Sequence, residues 1–323
     1  MNLNEIKLPV EEHIREFEKQ FRDSMKSKVP LLDKITRYIV KRKGKQIRPL
    51  FVFFSAAMCG GITEKTYRAA SLIELLHTAT LVHDDVVDDS NERRGFFSLN
   101  ALWKNKISVL VGDYLLSRGL LLAVENNDFN LLKIVSHSVK QMSEGELLQL
   151  EKARNLDIKE DVYFDIITKK TASLIASCLE SGAASAGADI ETQQKLRMAG
   201  QYTGIAFQIK DDLLDYRSDK KTGKPSGGDI KERKMTLPLL YLLDQSGFSE
   251  KRKIINIVKN HNNDPDKVGK LIEMVNKSGG ADYAGKKMEE NLEKAFEILE
   301  TMPDNPWRKS LKDLVQFTID RDN

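Results

Sequence analysis

Helix breakers are scarce in this sequence, and their scarcity constrains the fold more than any other feature. Only 8 prolines occur among the 323 residues, about half of the usual share of roughly 5%. Because proline removes a backbone donor and interrupts a helix, so few prolines predict long helices. Leu72, Leu75, Leu76, Ala79 and Val82 recur every three or four positions, which is typical of one helix face. No segment alternates as a strand does, so we predict an all-α protein.

Helix ends can also be placed from the sequence. Ser98 and Asp128 precede apolar helical segments and are typical N-terminal caps. Gly60 and Gly279 are each followed by a second glycine and are typical helix stops. We find no internal repeat. The predicted helices cover residues 3–26, 31–42, 47–58, 64–89, 99–125, 129–153, 159–187, 191–218, 234–245, 250–259, 265–278, 281–301 and 306–319.

One internal segment, residues 218–236, has the composition of a loop. Its sequence SDKKTGKPSGGDIKERKMT is rich in glycine and lysine and follows an acidic helix end. It is therefore either a linker between domains or a loop that covers a phosphate group, and its basic, glycine-rich composition favours the second at least as much as the first. Because the composition shifts nowhere else, we predict one large domain over residues 1–323.

Charge and composition exclude several classes of protein. The 51 Lys+Arg and 48 Asp+Glu residues leave a net charge of only +3, which is too small for a typical nucleic-acid-binding domain. Two cysteines cannot form a disulfide framework and suit a reducing compartment. The longest near-apolar stretch, residues 50–62, is shorter than the roughly 20 residues that a membrane span needs. We expect a cytoplasmic protein without a signal peptide, an integral membrane segment or a nucleic-acid partner.

The same acidic pattern, DDxxD, occurs at residues 84–88 and 211–215. Residues four apart lie on one face of a helix, where like charges repel by a few tenths of a kcal/mol. Mg²⁺ would compensate for this repulsion, since it binds one or two carboxylates together with substrate phosphates. One such motif is usually a solvated acidic face, but two copies that each follow an apolar run argue against that alternative. The candidate metal ligands are Asp84, Asp85, Asp88, Asp211, Asp212 and Asp215.

Basic clusters accompany both acidic motifs. They are GKQIRP at 44–49, Arg93 and Arg94 after the first motif, KKT at 169–171, and two lysines in the glycine-rich segment, Lys224 and Lys234. A single Lys or Arg is normally solvated, and Arg93 and Arg94 could simply pair with the neighbouring aspartates. Separate cation clusters beside carboxylates are nevertheless what the binding of two diphosphates requires. His77, two helical turns before Asp84, is either a core histidine or a ligand of such a site.

Together these residues resemble the all-trans polyprenyl diphosphate synthase family. The segment HDDVVDD with RRG at 83–95 looks like the first aspartate-rich motif of that family, and FQIKDDLLDY at 207–216 looks like the second. GKQIRP, GKPSGGDI at 223–230 and KMTLP at 234–238 match three further motifs. The resemblance runs from about residue 20 to the C-terminus. The combination is highly specific, whereas a single DDxxD also occurs in terpene cyclases.

The resemblance implies a single large bundle of antiparallel helices around a central cavity, the isoprenoid synthase type, usually as a homodimer. It implies head-to-tail condensation of isopentenyl diphosphate with an allylic diphosphate, with three Mg²⁺ per active site. The six aspartates would hold Mg²⁺ that bridges the allylic diphosphate. The other contacts to that diphosphate would come from Arg93, Lys170, Thr171, Gln208 and Lys234. Isopentenyl diphosphate would be bound by Lys45, Arg48, His77 and Arg94, and Lys224 would lie in the loop that closes over the site.

The residue types suit this chemistry. Breaking the allylic C–O bond places negative charge on the diphosphate, where Mg²⁺ and cationic side chains stabilise it. The cation on carbon needs a water-poor cavity, and the oxygens of Gln208 and Thr171 could face it. No side chain in the motifs is an evident general base. This agrees with the family mechanism, in which the departing diphosphate accepts the proton.

Product length should depend on the side chains one and two turns before Asp84. In short-chain members of the family an aromatic residue near this point blocks the cavity, whereas Ala79 leaves it open. We therefore predict a product of about C40, within C30 to C50, made from farnesyl diphosphate for a quinone side chain and released near a membrane. HTATLVHDDVVDDS also resembles the octaprenyl-type synthases. Further candidates along the path and at its floor are Leu76, Thr80, Leu132, Val135 and Val139.

Four alternatives stay open at this point. A farnesyl or geranylgeranyl diphosphate synthase would use the same motifs with a shorter cavity. A terpene cyclase needs only one diphosphate site, so two acidic motifs and two basic sites argue against it. A regulatory subunit of a heteromeric synthase typically lacks one or both acidic motifs, and this chain has both. A structural helical bundle would not bind diphosphates with Mg²⁺.

Overall fold

The computed structural model describes residues 2–41, 44–88, 92–93, 96–156, 158–216 and 227–320, and nearly all of them are helical, which confirms the all-α prediction. The only described strands, β1 Glu92–Arg93 and β2 Phe96–Phe97, form a two-residue antiparallel ladder. The helices are α1 Leu3–Lys7, α2 Glu11–Ser24, α3 Pro30–Lys41, α4 Ile47–Cys59, α5 Glu64–Val87, α6 Leu99–Glu125, α7 Phe129–Asn155, α8 Glu160–Ile167, α9 Ser173–Ser185, α10 Ile190–Asp215, α11 Gly228–Lys231, α12 Leu237–Gln245, α13 Phe248–Asn260, α14 Pro265–Ser278, α15 Gly280–Glu300 and α16 Pro306–Asp320.

Two predicted helices are divided in the structure. Pro9 lies in a 3₁₀ turn, Leu8–Val10, which separates α1 from α2 within the predicted segment 3–26. A π-helical turn, Thr168–Ala172, joins α8 to α9 within the segment 159–187. The predicted caps are present where the structure tests them. Ser98 accepts a hydrogen bond from the backbone N–H of Ala101 (3.0 Å), and Gly279 ends α14 at φ 83°.

The chain forms two compact units, each built from several segments. The first comprises residues 1–139, 177–197 and 302–314, and the second comprises 140–176, 198–301 and 315–323. The first unit contains the first acidic motif, and the second unit contains the second one. The single domain over residues 1–323 stays a prediction.

Helices α5 and α6 pack along each other in the first unit. Ala79 and Val82 on α5 lie in one buried cluster with Val111 and Leu115 on α6. Gly119 allows close approach, because a Cβ atom there would lie 3.3 Å from Cδ2 of Leu76. This packing fixes the part of α5 that leads into the first acidic motif.

Glycines also allow close helix packing around the π-helical turn in the second unit. A Cβ atom at Gly204 on α10 would lie 2.4 Å from the Cα of Ala172, and one at Gly145 on α7 would lie 2.7 Å from the backbone nitrogen of Lys170. Apolar residues of α8, α10, α12 and α14 form the core around this contact. The backbone of the π-helical turn is therefore tightly enclosed.

Helix α6 is more apolar than the sequence inspection suggested. Among the described helices, it is the one whose length and composition would allow it to cross a membrane, with a mean hydropathy of 1.7 over 18 residues. Asp113 and Arg118 interrupt the apolar run of α6, so this helix contains no unbroken apolar stretch long enough to span a membrane. One face packs on α5, and Arg118 donates to the backbone oxygen of Ser24 (2.7 Å). The absence of an integral membrane segment stays a prediction.

Replacement of Gly204 by alanine should destabilise the second unit. The added methyl group would collide with the backbone of Ala172, and overpacking of this kind costs about 1–3 kcal/mol of unfolding free energy. Gly269→Ala on α14 is the matched control, because no heavy atom lies within 4 Å of its added Cβ. That variant should gain about 0.5–1 kcal/mol from helix propensity. Urea denaturation measures both, and equal stability of the two variants would contradict the packing.

Candidate active site

The first acidic motif occupies the C-terminal end of α5. Asp84 and Asp85 lie in the last turn, and Asp88 is the C-terminal cap. Asp85 is buried (3% exposed), Asp84 is partly buried and Asp88 is exposed. A helix C-terminus has partial negative charge and favours cations, so carboxylates are disfavoured there. The motif is therefore a place where a bound cation would be stabilised.

Arg48, in the first turn of α4, is held by a carboxylate that the sequence analysis missed. Its Nε donates to Oε1 of Glu74 on α5 (2.8 Å), and both side chains are largely buried. Glu74 lies three residues before His77, so both belong to the same face of α5. The three-residue spacing between Glu74 and His77 could have indicated Glu74 as a site residue. Nothing in the sequence, however, indicated that α4 packs against this face of α5. Lys45 is exposed in the loop that precedes α4.

The candidate chain-length residues differ in burial. Leu76 and Ala79 are each 2% exposed within the first unit, and Thr80 donates its hydroxyl to the backbone oxygen of His77 (2.9 Å). On α7, Val135 is fully buried, whereas two further candidates, Leu132 and Val139, are partly buried. A larger side chain at position 79 would therefore displace neighbours in the core between α5 and α6.

The second acidic motif forms the last turn of α10, and its aspartates have different surroundings. Asp212 is buried (4% exposed) and accepts hydrogen bonds at both oxygens, from the Tyr163 hydroxyl (2.7 Å) and from Nε2 of Gln208 (2.8 Å). Asp215 accepts from the backbone N–H groups of Gly228 and Asp229, each at 2.9 Å. Asp215 thus fixes the start of α11, the segment that brings Asp229 and Lys234 into place.

A pocket in the second unit collects most of the predicted residues of that unit. Asp212 and Asp229 lie among three cationic side chains, and the polar or charged lining residues are Gln149, Tyr163, Lys170, Thr171, Gln208, Asp212, Asp229, Arg233, Lys234 and Thr236. Asp229 was not a candidate in the sequence analysis, because the segment that separates it from the second DDxxD motif has no helical periodicity. The structure does not place Asp211 or Asp215 in the lining of this pocket.

The π-helical turn presents the cation and hydroxyl predicted to contact diphosphate. Lys170 forms an ion pair with Glu146 on α7, and its Nζ lies 3.4 Å from Oε1 of Gln149. Thr171 donates its hydroxyl to Oε1 of Gln208 (2.7 Å). Turns of this type often mark functional sites within helices. Sequence analysis missed Glu146, since only the folded chain brings α7 beside this turn.

Burial makes the two pocket carboxylates unusually weak acids. It raises the pKa of Asp212 to about 7, and the negative charge of Asp229 raises it further. Burial also raises the pKa of Asp229 to about 6, which the nearby Lys234 ammonium opposes. A divalent cation favours the ionised form of such carboxylates. The pocket is therefore suited to a ligand that brings positive charge with it.

The donor set fits Mg²⁺ that is bound together with a diphosphate. No cluster of three or more Asp, Glu, His or Cys that could chelate a metal occurs among the residues that the structure describes. Mg²⁺ keeps several waters and uses one or two carboxylates plus phosphate oxygens, so it needs no such cluster. Three predicted contacts, the Arg93 side chain, Arg94 and Lys224, lie outside what the structure describes.

The comparisons with known proteins agree on one family. Residues 29–275 match the model of the polyprenyl synthetase family. The octaprenyl diphosphate synthase of Escherichia coli K12 is 36% identical over 93% of both chains. The all-trans-nonaprenyl-diphosphate synthase (geranyl-diphosphate specific) of Rhodobacter capsulatus is 38% identical over 98% of this chain and 97% of its own. A polyprenyl synthase from Caulobacter crescentus CB15, solved with calcium and isoprenyl diphosphate, superposes with a TM-score of 0.91 at 34% identity, covering 100% and 98% of the two chains.

The stability of the metal-free protein should fall as pH rises from 5 to 8. The raised pKa of Asp212 means that the folded state binds a proton more tightly than the unfolded state, and this advantage is lost through pH 7. In EDTA, the melting temperature should therefore drop less for Asp212→Asn than for the wild type. The exposed Asp244 supplies the control, since Asp244→Asn should keep the wild-type slope. Identical slopes for all three proteins would refute the buried titration.

Proposed function

Because the chain belongs to the polyprenyl synthetase family and is a long-chain trans-prenyl diphosphate synthase, we propose that it condenses isopentenyl diphosphate head to tail with farnesyl diphosphate. The product is a polyprenyl diphosphate of about C40 for a quinone side chain. The observation that supports this most is the pocket in which Asp212 and Asp229 lie beside Lys170, Arg233 and Lys234. A site that contains both carboxylates and cationic side chains suits a metal-bound diphosphate.

Mg²⁺ is the proposed cofactor, with three ions per active site, and the acidic motifs are its binding residues. When bound, it neutralises the charge that develops on the departing diphosphate. The calcium in the Caulobacter crescentus relative supports a divalent ion. Asp84, Asp85, Asp88, Asp211, Asp212 and Asp215 are the proposed ligands, and Asp229 lies beside Asp212 in the pocket. Asp215 also holds the start of α11.

The remaining side chains are proposed to bind two different diphosphates. Lys170 and Lys234 bind the allylic diphosphate and stabilise its negative charge as the C–O bond breaks. Thr171 and Gln208 present oxygen atoms near the same pocket. Lys45, Arg48 and His77 bind isopentenyl diphosphate, and Glu74 orients the guanidinium of Arg48.

Product length and primer follow from the relatives and from the small residue at position 79. Octaprenyl and nonaprenyl synthases are among the similar proteins, which supports a product near C40. One relative is specific for geranyl diphosphate, so the choice of farnesyl diphosphate is the part of the proposal that needs direct measurement. The cytoplasmic location and release of the product near a membrane stay predictions.

We also propose a homodimer that covers the exposed face of α6. Leu110 is 58% exposed and Leu121 is 45% exposed, with Val109, Leu120 and Val124 near them on the same helix. A second copy would bury this face against its own counterpart, because a two-fold interface pairs the same patch of both chains.

The purified chain should incorporate labelled isopentenyl diphosphate into a lipid of about C40 when farnesyl diphosphate and Mg²⁺ are supplied. Lys170→Ala should lower the rate at least about tenfold, since it removes a charge that stabilises the leaving diphosphate. Chromatography of the labelled products measures length and rate together. Cyclic hydrocarbons would indicate a cyclase, and no incorporation by the isolated chain would indicate a subunit that needs a partner.

Ala79→Tyr should shorten the products to about C15–C20 while turnover continues. The ring would displace neighbours in the core between α5 and α6, along which the growing chain is proposed to run, and this overpacking should cost about 1–3 kcal/mol of stability. Ala79→Ser, which changes the volume little, is the control and should keep the long product. Unchanged product length in the tyrosine variant would show that position 79 does not border the path.

Charge on the α6 face should dissociate the dimer. Leu110→Lys with Leu121→Lys would place two cations in the buried interface, where each unpaired charge is strongly unfavourable. Phe248→Lys is the matched control, because Phe248 is 78% exposed on α13. Light scattering after gel filtration should give a monomer for the double variant and a dimer for the control. A monomeric wild type would refute the interface.

A further inference from the structure

Tyr163 lies in the lining of the second-unit pocket, but it is not among the residues proposed to bind substrate. It lies on α8, it is 4% exposed, and its hydroxyl donates to Oδ2 of Asp212 (2.7 Å). The tyrosine is therefore a fixed donor to one oxygen of Asp212.

Three hydrogen bonds connect Tyr163 to the π-helical turn. Tyr163 donates to Asp212, Gln208 donates its Nε2 to the other oxygen of Asp212 (2.8 Å), and Thr171 donates its hydroxyl to Oε1 of Gln208 (2.7 Å). In this series Tyr163 and Gln208 donate directly to Asp212, and Thr171 donates to Gln208. When Asp212 is ionised it only accepts hydrogen bonds, so the amide nitrogen of Gln208 faces it.

The orientation of the Gln208 amide decides which way the Thr171 hydroxyl points. With Oε1 toward Thr171, the threonine proton is used in that hydrogen bond, and its oxygen lone pairs are left for the pocket. If the amide flipped, Nε2 would face Thr171 and the threonine would have to accept instead. Oxygen lone pairs stabilise a cation, whereas an O–H proton repels it.

We propose that Tyr163 is a positioning residue for the condensation: through Asp212 it fixes the amide of Gln208 and thereby aims the Thr171 oxygen at the reacting allylic group. This inference rests on the proposed function. A tyrosine suits the task because its ring has few rotatable bonds and is held in the core of the second unit. Phenylalanine would keep the shape of the ring and remove only the donor.

The alternative is that the hydroxyl of Tyr163 only stabilises the fold, and Tyr67 offers a matched control. Tyr67 on α5 is also buried (8% exposed), and its hydroxyl shares a hydrogen bond with Nδ1 of His13 (2.6 Å) in the first unit rather than with Asp212. Tyr67→Phe therefore removes a buried hydroxyl of the same kind outside the pocket lining and outside the series. Both phenylalanine variants should melt at similar temperatures, and only Tyr163→Phe should affect catalysis.

A double-mutant cycle with Tyr163→Phe and Gln208→Leu tests the proposal. Tyr163→Phe should lower kcat about tenfold with the KM for isopentenyl diphosphate within about twofold, while Tyr67→Phe changes kcat less than about twofold. In the Gln208→Leu background, Tyr163→Phe should have no further effect, because the amide that it orients is gone. Radiolabelled substrate makes slow variants measurable, and circular dichroism confirms their folding.

Two results would overturn the inference. One is full kcat in Tyr163→Phe, and the other is a loss in kcat that multiplies with that of Gln208→Leu, which would show that the two residues act independently. Failure of the proposed function has a different outcome, since the wild type itself would then form no prenyl product. The comparison of Tyr163→Phe with Tyr67→Phe keeps the test decisive if Gln208→Leu fails to fold.

Discussion

Carboxylates at the C-terminal ends of two long helices are the constraint on which the rest of the structure depends. Helices α5 and α10 each end in the pattern DDxxD, where the helix dipole disfavours negative charge. In the second unit the cost is increased by burial, which raises the pKa of Asp212 to about 7. Such an arrangement opposes stability in the free protein and becomes favourable when a cation binds.

The elements around the second motif supply the compensating groups. The π-helical turn presents Lys170 and Thr171, and Gly145 and Gly204 allow the neighbouring helices to enclose its backbone. The carboxylate of Asp215 accepts hydrogen bonds from the backbone at the start of α11, and this contact holds Asp229 and Lys234 at the pocket. Close packing, unusual helix geometry and the charge of the site are therefore all consistent with the proposed binding of a charged substrate.

Features with a period or a motif could be predicted from the sequence, and features that depend on distant contacts could not. The helical pattern and the Ser98 cap follow from local spacing, whereas the Lys170 and Gln208 candidates follow from the family resemblance. Tyr163 and Asp212 are neighbours only after α8 and α10 pack, so no periodicity connects them. The π-helical turn was not predicted, because residues 168–172 contain no proline or glycine that would mark an interruption within the predicted helix 159–187.

The most direct measurement of the central claim is the melting temperature of the wild type with Mg²⁺, with inorganic diphosphate, and with both. If the acidic motifs exist to bind a metal-bound diphosphate, diphosphate alone should stabilise little, because its negative charge is repelled by the aspartates of the motifs. Both together should stabilise more than the sum of the separate shifts, as expected for a ligand that binds only the folded state. Equal stabilisation by diphosphate with and without Mg²⁺ would contradict the claim.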